Sequence, residues 1–470
     1  MPRTAIQVRG APPRAKWTAF WLMAKPAYPR SEAMPIGNRA QARPRARSPV
    51  LDPAGANRYN PCGMALITRV THGGAADKPL TVAWLPDYPI EWLDPLPEAL
   101  RPLVRKNPGT WAAVLLGELR QEPGLKVHVI VLRRGVAQDV SFERDGVTFH
   151  VLKASPRWRV ASLYWLDTWL IRRLLRRLRP DLVHAWGVEY GGGLTASRLP
   201  YPYVLTMQGL FQWYQQMAPL PGAYWKLVTF LEPTSLRRAR VVTTESKFAV
   251  AHLQQHYPHL QVHQAEHASN WVFHRLERRP QTRPFRLVCV AQMSHRKGTD
   301  LLFQGLDQLR GEFDFELVCV TGPDRRIIEA LKPTVSPEFW QRVRLETDLP
   351  APMVARELAQ ATLSLLPTRA DTSPNTVKEA AVAGLPVVAS AVGGIPDYIL
   401  PGKNGLLCQP GDLASFVETM RAALRHPLFS RGEVEPTTLA WARDYLSPRT
   451  MAQKFLGAYQ AALPREFTIT

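Results

Sequence analysis

The sequence of residues 286–302 is Arg286-Leu-Val-Cys-Val-Ala-Gln-Met-Ser-His-Arg-Lys-Gly-Thr-Asp-Leu-Leu302. Its apolar beginning predicts a buried strand at Arg286–Ala291, and the apolar spacing that follows predicts a helix at Thr299–Leu309. The polar loop between them ends in Lys297 and Gly298. A helix start offers free N–H groups to an anion, glycine lets a ligand approach the backbone, and lysine adds a positive charge. The stretch therefore indicates a strand–loop–helix unit that can bind a phosphate.

The same alternation of strands and helices extends in both directions. Residues 80–272 contain apolar β-rich runs separated by helical patterns, and the alternation resumes over residues 285–439. Residues 273–284 carry prolines and charges without a period, which is typical of a linker. Strands separated by helices are typical of parallel sheets with crossover connections. We therefore expect an α/β protein with two Rossmann-like, doubly wound parallel-sheet domains.

The beginning of the chain has a different composition. Residues 1–79 hold thirteen Lys and Arg but three Asp and Glu, so this stretch supplies +10 of the net charge of +20. It is rich in Pro, Arg and Ala and has no sustained period, so it buries too little apolar surface to offset its ordering entropy. We expect a disordered tail, or translation that starts at Met64. No nucleic-acid partner is expected, because no aromatic or glycine-interleaved basic pattern is present.

Two features bear on the compartment. No apolar run reaches the roughly 18 residues that a membrane-spanning helix needs. None of the four cysteines lies in a Cys-x-x-Cys pair, which favours free thiols in a reducing compartment. We therefore expect a cytoplasmic protein.

A basic amphipathic helix is predicted over Ala161–Arg179. Its apolar stripe and its arginines recur at helical spacing on two sides: Leu163, Leu166, Leu170, Leu174 and Leu178, against Arg172, Arg173, Arg176, Arg177 and Arg179. One interpretation is a surface helix that packs on its own sheet. The other is a face that makes peripheral contact with an anionic membrane from the cytoplasmic side.

A second polar loop and helix start contain two carboxylates eight residues apart, Asp371 and Glu379. An acid outside the carboxyl end of a strand can accept hydrogen bonds from a sugar, and an acid in the following helix can hold a ribose. The N–H groups of Ser373, Asn375 and Thr376 are expected to face a phosphate. The alternative for Glu379 is a helix capping box with Thr376, which needs no ligand.

A further polar group follows the predicted strand Leu182–Trp186. His184 and Glu189 stand beside aromatic residues just before Gly191-Gly-Gly193. These side chains are candidates for an acceptor pocket in which the rings stack on sugar faces. The alternative is that His184 and Trp186 simply end a buried strand.

Several of these segments occur together in an order that resembles a known family. They are the Lys-Gly pair, the Asp-x7-Glu spacing, Gly384-Leu-Pro-Val-Val388, Gly393-Gly-Ile-Pro396 and Asn404-Gly-Leu-Leu407. The ordered set resembles the C-terminal domain of the family 4 retaining glycosyltransferases (glycosyl transferases group 1), which have the GT-B fold. The resemblance implies an acceptor-binding domain at 80–272 and a nucleotide-sugar-binding domain at 285–439, facing each other across a cleft. It also implies that residues 440–470 form helices that cross back to the first domain.

The resemblance assigns a role to each matching residue. Asp371 would contact the transferred sugar, Glu379 the nucleotide ribose, and Lys297 the donor diphosphate. The family uses no metal cofactor, so the phosphate charge would be met by Lys297 with Arg296 or Arg369 and by helix N-termini. The implied reaction moves a hexosyl group, with retained configuration, from a nucleotide-diphosphate sugar to a glycan, a lipid-linked acceptor or a small hydroxyl acceptor. Polysaccharide biosynthesis is a setting for such an enzyme by analogy only.

The chain departs from the family pattern on both sides of the expected cleft. Ala291-Gln292 stands where the family has Gly-Arg, so Gln292 replaces a phosphate-binding arginine in the donor site. Thr206-Met-Gln-Gly209 stands where the family has Thr-x-His-Gly, which makes Gln208 an acceptor-side candidate that cannot act as an acid or base near neutral pH. An inactive relative that binds a nucleotide sugar or glycan, and a GT-B epimerase, therefore remain alternatives.

Overall fold

The computed structural model describes residues 70–72, 78–103, 110–464 and 467–469. The predictions for residues 1–69, including the alternative start at Met64, lie outside these ranges. The end of the predicted tail is an exception to the expected disorder. Val70–His72 forms a strand, β1, that pairs antiparallel with Phe467–Ile469, β16, near the other end of the chain.

The first domain is built on an eight-stranded sheet. Its strands are β2 Leu80–Leu85, β3 Leu125–Arg133, β4 Val140–Arg144, β5 Val147–Lys153, β6 Leu182–Trp186, β7 Tyr203–Thr206, β8 Val241–Thr244 and β9 Gln261–Gln264. Its helices are α1 Thr110–Leu119, α2 Pro156–Ala161, α3 Trp165–Leu178, α4 Gly192–Ala196, α5 Phe211–Met217, α6 Ala223–Arg238 and α7 Lys247–His256. The short helix that follows β9, α8 Trp271–His274, packs against helices of the second domain. The order across the sheet is β4-β5-β3-β2-β6-β7-β8-β9. All pairings are parallel except that of β4 with β5.

The second domain is built on a six-stranded parallel sheet. Its strands are β10 Phe285–Val290, β11 Phe315–Thr321, β12 Val343–Thr347, β13 Leu363–Leu366, β14 Val387–Ser390 and β15 Gly405–Cys408. The helices that follow β10 are α9 Thr299–Leu309, α10 Arg326–Leu331, α11 Pro337–Trp340, α12 Ala351–Gln360, α13 Asn375–Ala383, α14 Leu413–Arg425, α15 Pro436–Tyr445 and α16 Pro448–Ala462. The order across the sheet is β12-β11-β10-β13-β14-β15. The predicted class, two α/β domains with parallel sheets, is confirmed.

The strand order places the two polar loops of the second domain side by side. β10 lies between β11 and β13, so the chain winds outward from β10 in one direction and from β13 in the other. At such a switch point the loops that leave the two central strands diverge and open a crevice at the carboxyl ends. The loop after β10 carries Lys297, and the loop after β13 carries Asp371.

One predicted helix begins later than expected. The helix expected at Ala161–Arg179 is α3, which begins at Trp165 because Leu163 and Tyr164 have positive φ angles of 46° and 63°; α2 is a separate short helix that ends at Ala161. The ring of Tyr164 is buried against α4 and α6. A Cβ atom on Gly191 would lie 2.2 Å from that ring, so the absence of a side chain at residue 191 makes room for it. Tertiary packing of one tyrosine therefore overrides the local helical pattern.

The end of the chain returns to the first domain through one helix. Met451, Phe455 and Tyr459 of α16 are buried in the core of the first sheet. The preceding helix, α15, packs instead against α13 of the second domain, although Tyr445 at its end hydrogen-bonds to Glu266. Among the helices expected to cross back, α16 crosses and α15 stays with the second domain.

The predicted linker lies along the second domain. The guanidinium of Arg278 donates to the carbonyls of Ala361 and Gly432 at 2.6 and 2.9 Å. The backbone N–H of Arg279 donates to the carbonyl of Ala359 at 2.8 Å. These contacts attach the connection to one domain, so any relative motion of the domains would bend the chain before Arg278.

The cysteines and the lengths of the helices bear on the two features from which the compartment was predicted. Cys289, Cys319 and Cys408 are buried free thiols, as predicted. Within the described ranges, every helix is too short or too polar to span a bilayer.

Candidate active site

The loops after β10 and β13 touch through Gly298. This glycine has a φ of 70°, and a Cβ atom there would lie 1.8 Å from the carbonyl oxygen of Pro367. Beside it, the N–H of Arg369 donates to the carbonyl of Arg296 at 2.8 Å. Glycine is therefore required at residue 298 for the backbone, in addition to the charge that Lys297 supplies. Only glycine combines this positive φ with so close an approach of a carbonyl.

The contact brings Lys297 onto Asp371. Its ammonium forms a short ion pair with Asp371 Oδ2, and the guanidinium of Arg296 lies 3.8 Å from the same oxygen. Burial by itself raises the pKa of Asp371, but Lys297, Arg296 and the N–H of Ser373 outweigh burial and lower the pKa below its usual value. Asp371 is therefore ionised at neutral pH, and two predicted site residues already form a charge pair.

A third loop packs against the backbone of Asp371 and Thr372. Gly393, after β14, has a φ of 57°, and a Cβ atom there would lie 1.8 Å from the carbonyl oxygen of Asp371. A Cβ atom on Gly394 would lie 2.2 Å from the carbonyl oxygen of Thr372. The Gly-Gly pair therefore lets the loop after β14 pack directly on the backbone that carries Asp371.

Helix α13 places Glu379 at the edge of this crevice. The helix begins at Asn375 after Pro374, without a side-chain cap. Thr376 is thus inside the first turn, so the capping box considered for Thr376 and Glu379 does not form. The Thr376 hydroxyl is buried without a hydrogen-bond partner. The first N–H groups of the helix, at Asn375 and Thr376, have no intrahelical acceptor, so they remain available to an anion.

The carboxylate of Glu379 has no hydrogen bond or ion pair to any described residue, and this side chain is half-buried. Burial raises its pKa to about 7, and Lys378 offsets this only in part. A carboxylate that lacks a partner at the rim of a crevice can accept two hydroxyl hydrogen bonds, as a ribose would offer.

Three other donor-side candidates are placed differently from the expectation. Arg369 forms two hydrogen bonds of 2.7 Å with Asp300 and one of 2.8 Å with the carbonyl of His295, so it ties the two loops together instead of facing a phosphate. Ser373 uses its N–H on Asp371 and its hydroxyl on Tyr398 at 2.8 Å. Gln292 is exposed at the end of β10.

His184 does not face the cleft. Its side chain is fully buried, with Nδ1 2.8 Å from the Tyr459 hydroxyl and Nε2 2.6 Å from the Thr206 hydroxyl. Burial lowers its pKa well below the usual value, so the ring is neutral. The buried-strand alternative therefore describes His184, because helix α16 covers the strand end on which it lies.

Glu189 and Gln208 do lie together. With its amide oriented to suit both neighbours, Gln208 donates to Glu189 Oε1 at 2.6 Å and accepts from the Trp111 indole at 3.1 Å. Glu189 Oε2 is buried without a partner, and burial raises the pKa of this carboxyl to about 7. These residues form a polar group at the carboxyl ends of β6 and β7, where an acceptor hydroxyl could bind.

The sequence interpretation missed a charge network that joins the two sides. Glu245, directly after β8, forms a short ion pair with Lys378 of α13, whose side chain is fully buried. His267 Nδ1 lies 3.1 Å from Glu245, and its ring stacks on Trp111 at a centroid distance of 5.6 Å. In the sequence, the only sign of this network was that an acid, Glu245, directly follows a predicted parallel strand. The network continues from Gln208 through Trp111 to the residue beside Glu379.

Further polar contacts cross the cleft near Asp371. The hydroxyl of Tyr214 lies 2.9 Å from that of Thr372 and accepts from the Thr372 N–H at 3.2 Å. The N–H of Lys247 donates to Asp397 at 2.7 Å. The donor-side loops therefore contact the first domain directly. No group of three or more His, Cys, Asp or Glu side chains in the described ranges is arranged to hold a metal ion.

Comparisons with known proteins agree with this geometry. The sequence is 30% identical over 152 residues to D-inositol 3-phosphate glycosyltransferase 1 of Catenulispora acidiphila, which covers 30% of this chain and 36% of that protein. It is 24% identical over 259 residues to glycogen synthase of Mycobacterium tuberculosis, which covers 54% of this chain and 62% of the relative. The chain thus matches less than two thirds of the length of these relatives.

Solved structures show the same fold. Sucrose-phosphate synthase from Thermosynechococcus elongatus superposes with a TM-score of 0.67 at 16% identity, over 81% of this chain and 98% of that one. Anabaena HepE in complex with UDP-glucose superposes with a TM-score of 0.58 at 13% identity, over 81% of this chain and all of that one. These likenesses show the GT-B arrangement of two facing α/β domains.

Two family models match adjoining segments of the chain. The model described as Glycosyltransferase Family 4 matches residues 109–285, and the model described as Glycosyl transferases group 1 matches residues 284–426. Together the matches cover the second sheet, the first sheet apart from β2, and every donor-side residue discussed above. The chain therefore belongs to the family 4, group 1 glycosyltransferases.

Proposed function

We propose that this protein transfers a hexosyl group from a nucleotide-diphosphate sugar to a hydroxyl acceptor, which is a glycan, a lipid-linked sugar or a small molecule. The observation that carries the proposal is the ion pair of Lys297 with Asp371 at the switch point of the second sheet, with the partnerless Glu379 on the helix that follows. Glu189 and Gln208 of the first domain are connected, through the network described above, to Lys378 beside Glu379. The presence of UDP-glucose in the related HepE structure supports a nucleotide sugar as donor.

Different donor-side residues would bind different parts of the nucleotide sugar. The N–H groups at the start of α13 and the cations Lys297 and Arg296 would bind the diphosphate. Glu379 would accept hydrogen bonds from the ribose. Asp371, which these cations keep ionised, would lie near the sugar and favour the positive charge that develops on its ring in the transition state.

We further propose that the transfer is metal-independent and retains configuration. Two cationic side chains and a helix N-terminus can together neutralise a departing diphosphate. The bond between the anomeric carbon and the phosphate oxygen would break while the acceptor oxygen bonds to the same face of the sugar. The acceptor proton would pass to the departing diphosphate. Full activity in excess chelator, with an α-linked product from an α-linked donor, is the expected result; an inverted product would contradict retention.

Calorimetry against UDP, GDP, ADP and their common sugar conjugates tests the donor site. We expect binding of one nucleotide, weakened in Lys297→Ala by about 1.5–3 kcal/mol, because a charge-assisted contact to phosphate is lost. Lys332→Ala is the matched control, since Lys332 is an exposed lysine of the same domain that pairs only with Glu329. Unchanged affinity in Lys297→Ala would remove Lys297 from the donor site.

Turnover tests catalysis separately from binding. Asp371→Asn should leave diphosphate binding intact, because Lys297 is freed from its ion pair, and should lower the rate of nucleotide release in the presence of acceptor. Glu379→Ala should lose both donor affinity and turnover. Wild-type protein that binds a nucleotide sugar but never releases the nucleotide would favour the inactive binding relative.

A further inference from the structure

The large apolar side chains that remain exposed in the described chain are all in the first domain. They lie in segments that follow β5, β6 and β7: Trp158, Leu163, Trp165, Trp169, Tyr190, Met217 and Phe230. The three tryptophans are 67%, 59% and 58% exposed. Scattered exposed apolar residues are ordinary, but Trp158, Trp165 and Trp169 lie on the adjoining helices α2 and α3, and a group of large aromatic side chains marks a binding surface.

Helix α3 joins this aromatic group to a basic one. Trp165 and Trp169 lie one turn apart on its outer face, and the same face continues with four exposed arginines, Arg172, Arg173, Arg176 and Arg177. The inner face buries Thr168, Ile171 and Leu175. Over about 18 Å of helix the outer surface thus changes from aromatic to cationic. We call Trp158, Trp165, Trp169 and these four arginines the tryptophan–arginine surface.

Local contacts hold the aromatic end in place. The guanidinium of Arg198 lies 4.3 Å from the ring centroid of Trp165 and donates to the carbonyl of Leu163 at 2.8 Å. Tyr164, between them, is buried against α4 and α6. The packed junction of α2 and α3 therefore holds the tryptophans in fixed, solvent-exposed positions. Exposing such large apolar side chains to water is energetically unfavourable.

The tryptophan–arginine surface carries no acidic side chain. Residues 156–179 contain seven arginines and one acid, Asp167. Asp167 is buried and accepts a hydrogen bond from Arg159 at 2.8 Å. The outward charge is therefore uniformly positive.

We infer that this surface docks on an anionic lipid bilayer. Tryptophan favours the headgroup level of a membrane, and arginines beside it attract anionic lipids. A second copy of the chain fits less well, because a two-fold contact through this surface would gather the arginines of both copies at one interface with no acidic side chain on either surface to balance them.

The docked orientation would bring the acceptor side to the membrane. Glu189 of the polar group is followed by the exposed Tyr190, whose carbonyl accepts from Arg159 at 3.4 Å. Arg159 belongs to α2, beside Trp158. If the proposed transfer is correct, the acceptor is therefore a lipid-linked hydroxyl compound, which reaches Glu189 and Gln208 from the bilayer.

Vesicle co-sedimentation of the full chain tests the docking. We expect binding to vesicles of phosphatidylcholine mixed equally with phosphatidylglycerol, and weaker binding to phosphatidylcholine alone. Trp165→Ser/Trp169→Ser and Arg173→Glu/Arg177→Glu should each reduce partitioning about tenfold or more. Arg326→Glu/Lys332→Glu is the control, because it makes the same charge change at exposed positions of the second domain and should bind as the wild type does.

The outcomes separate docking from the proposed transfer. Loss of vesicle binding in both α3 variants, with unchanged nucleotide affinity, supports the docking whether or not transfer is found. Equal vesicle binding by these variants and the control would overturn it and assign any membrane affinity to other basic segments. A dimer in sedimentation that the tryptophan substitutions abolish, without vesicle binding, would also overturn it.

Discussion

Two carboxylates of the donor site are eight residues apart in sequence but differ in charge state. Asp371 contacts Lys297, lies near Arg296, and has a lowered pKa. Glu379 has no partner among the described residues, and burial raises its pKa to about 7. Opposite environments of this kind allow neighbouring acids to take different roles. Asp371 would supply a permanent negative charge, whereas Glu379 would be an acceptor of hydrogen bonds whose capacity depends on pH.

The first prediction concerns the pH dependence of donor affinity. Because ionised Glu379 accepts two hydrogen bonds and its protonated form accepts fewer, affinity should rise as pH increases through about 7. Between about pH 6 and about pH 8 the gain should approach tenfold in calorimetry with the intact nucleotide sugar. Glu379→Gln should flatten the profile, and Glu346→Gln, at a half-buried position near the end of β12, should not. A flat wild-type profile would show that Glu379 does not contact the donor.

At the scale of elements, three loops at the carboxyl edge of the second sheet fit together through glycines. Gly298 meets the carbonyl of Pro367, and Gly393 meets the carbonyl of Asp371, each where a Cβ atom would be 1.8 Å from oxygen. The glycines of the family pattern therefore serve backbone contact between loops. Their effect on the donor is indirect, through the position of Lys297 and Asp371.

The second prediction separates this contact from backbone conformation. Gly298→Ala and Gly393→Ala should each lower the thermal unfolding midpoint and weaken donor binding, because a left-handed conformation costs about 1–2 kcal/mol and the new methyl group also collides with a carbonyl. Gly411→Ala is the matched control: its φ is 79°, but a Cβ atom there would meet nothing within 4 Å. Equal losses of stability in Gly298→Ala and Gly411→Ala would show that the collision of the new methyl group with the Pro367 carbonyl does not contribute.

At the scale of the whole molecule, a buried ion pair joins the two domains. Glu245 and Lys378 are 133 residues apart, and His267 adds a hydrogen bond to the same carboxylate. Burial lowers the pKa of His267 well below its usual value, so the ring is neutral and the charge balance rests on Glu245 and Lys378. Because Lys378 directly precedes Glu379, the pair fixes the domain interface and the donor helix together.

The third prediction is a double-mutant cycle on this pair. Lys378→Met should cost about 3–5 kcal/mol of unfolding free energy, because it leaves Glu245 buried and uncompensated. Glu245→Leu/Lys378→Met should recover much of that loss, since no unpaired charge remains. Urea unfolding measures both, with Lys247→Met as a control at the exposed rim of the same interface. Strictly additive effects of the two substitutions would show that the charges do not interact.

The sequence by itself determined the features that depend on residues close together in the chain. The strand–loop–helix unit around Lys297 and Gly298, the alternation that builds two parallel sheets, and the placement of Asp371 and Glu379 on one loop and helix all follow from local periods and backbone needs. Only the tertiary structure decided that His184 is covered by α16, that α3 begins only after the buried Tyr164, and that Arg369 binds Asp300. It also decided the pairing of Glu245 with Lys378. Each of these depends on a partner distant in sequence, and only the packing of sheets and helices brings such partners together.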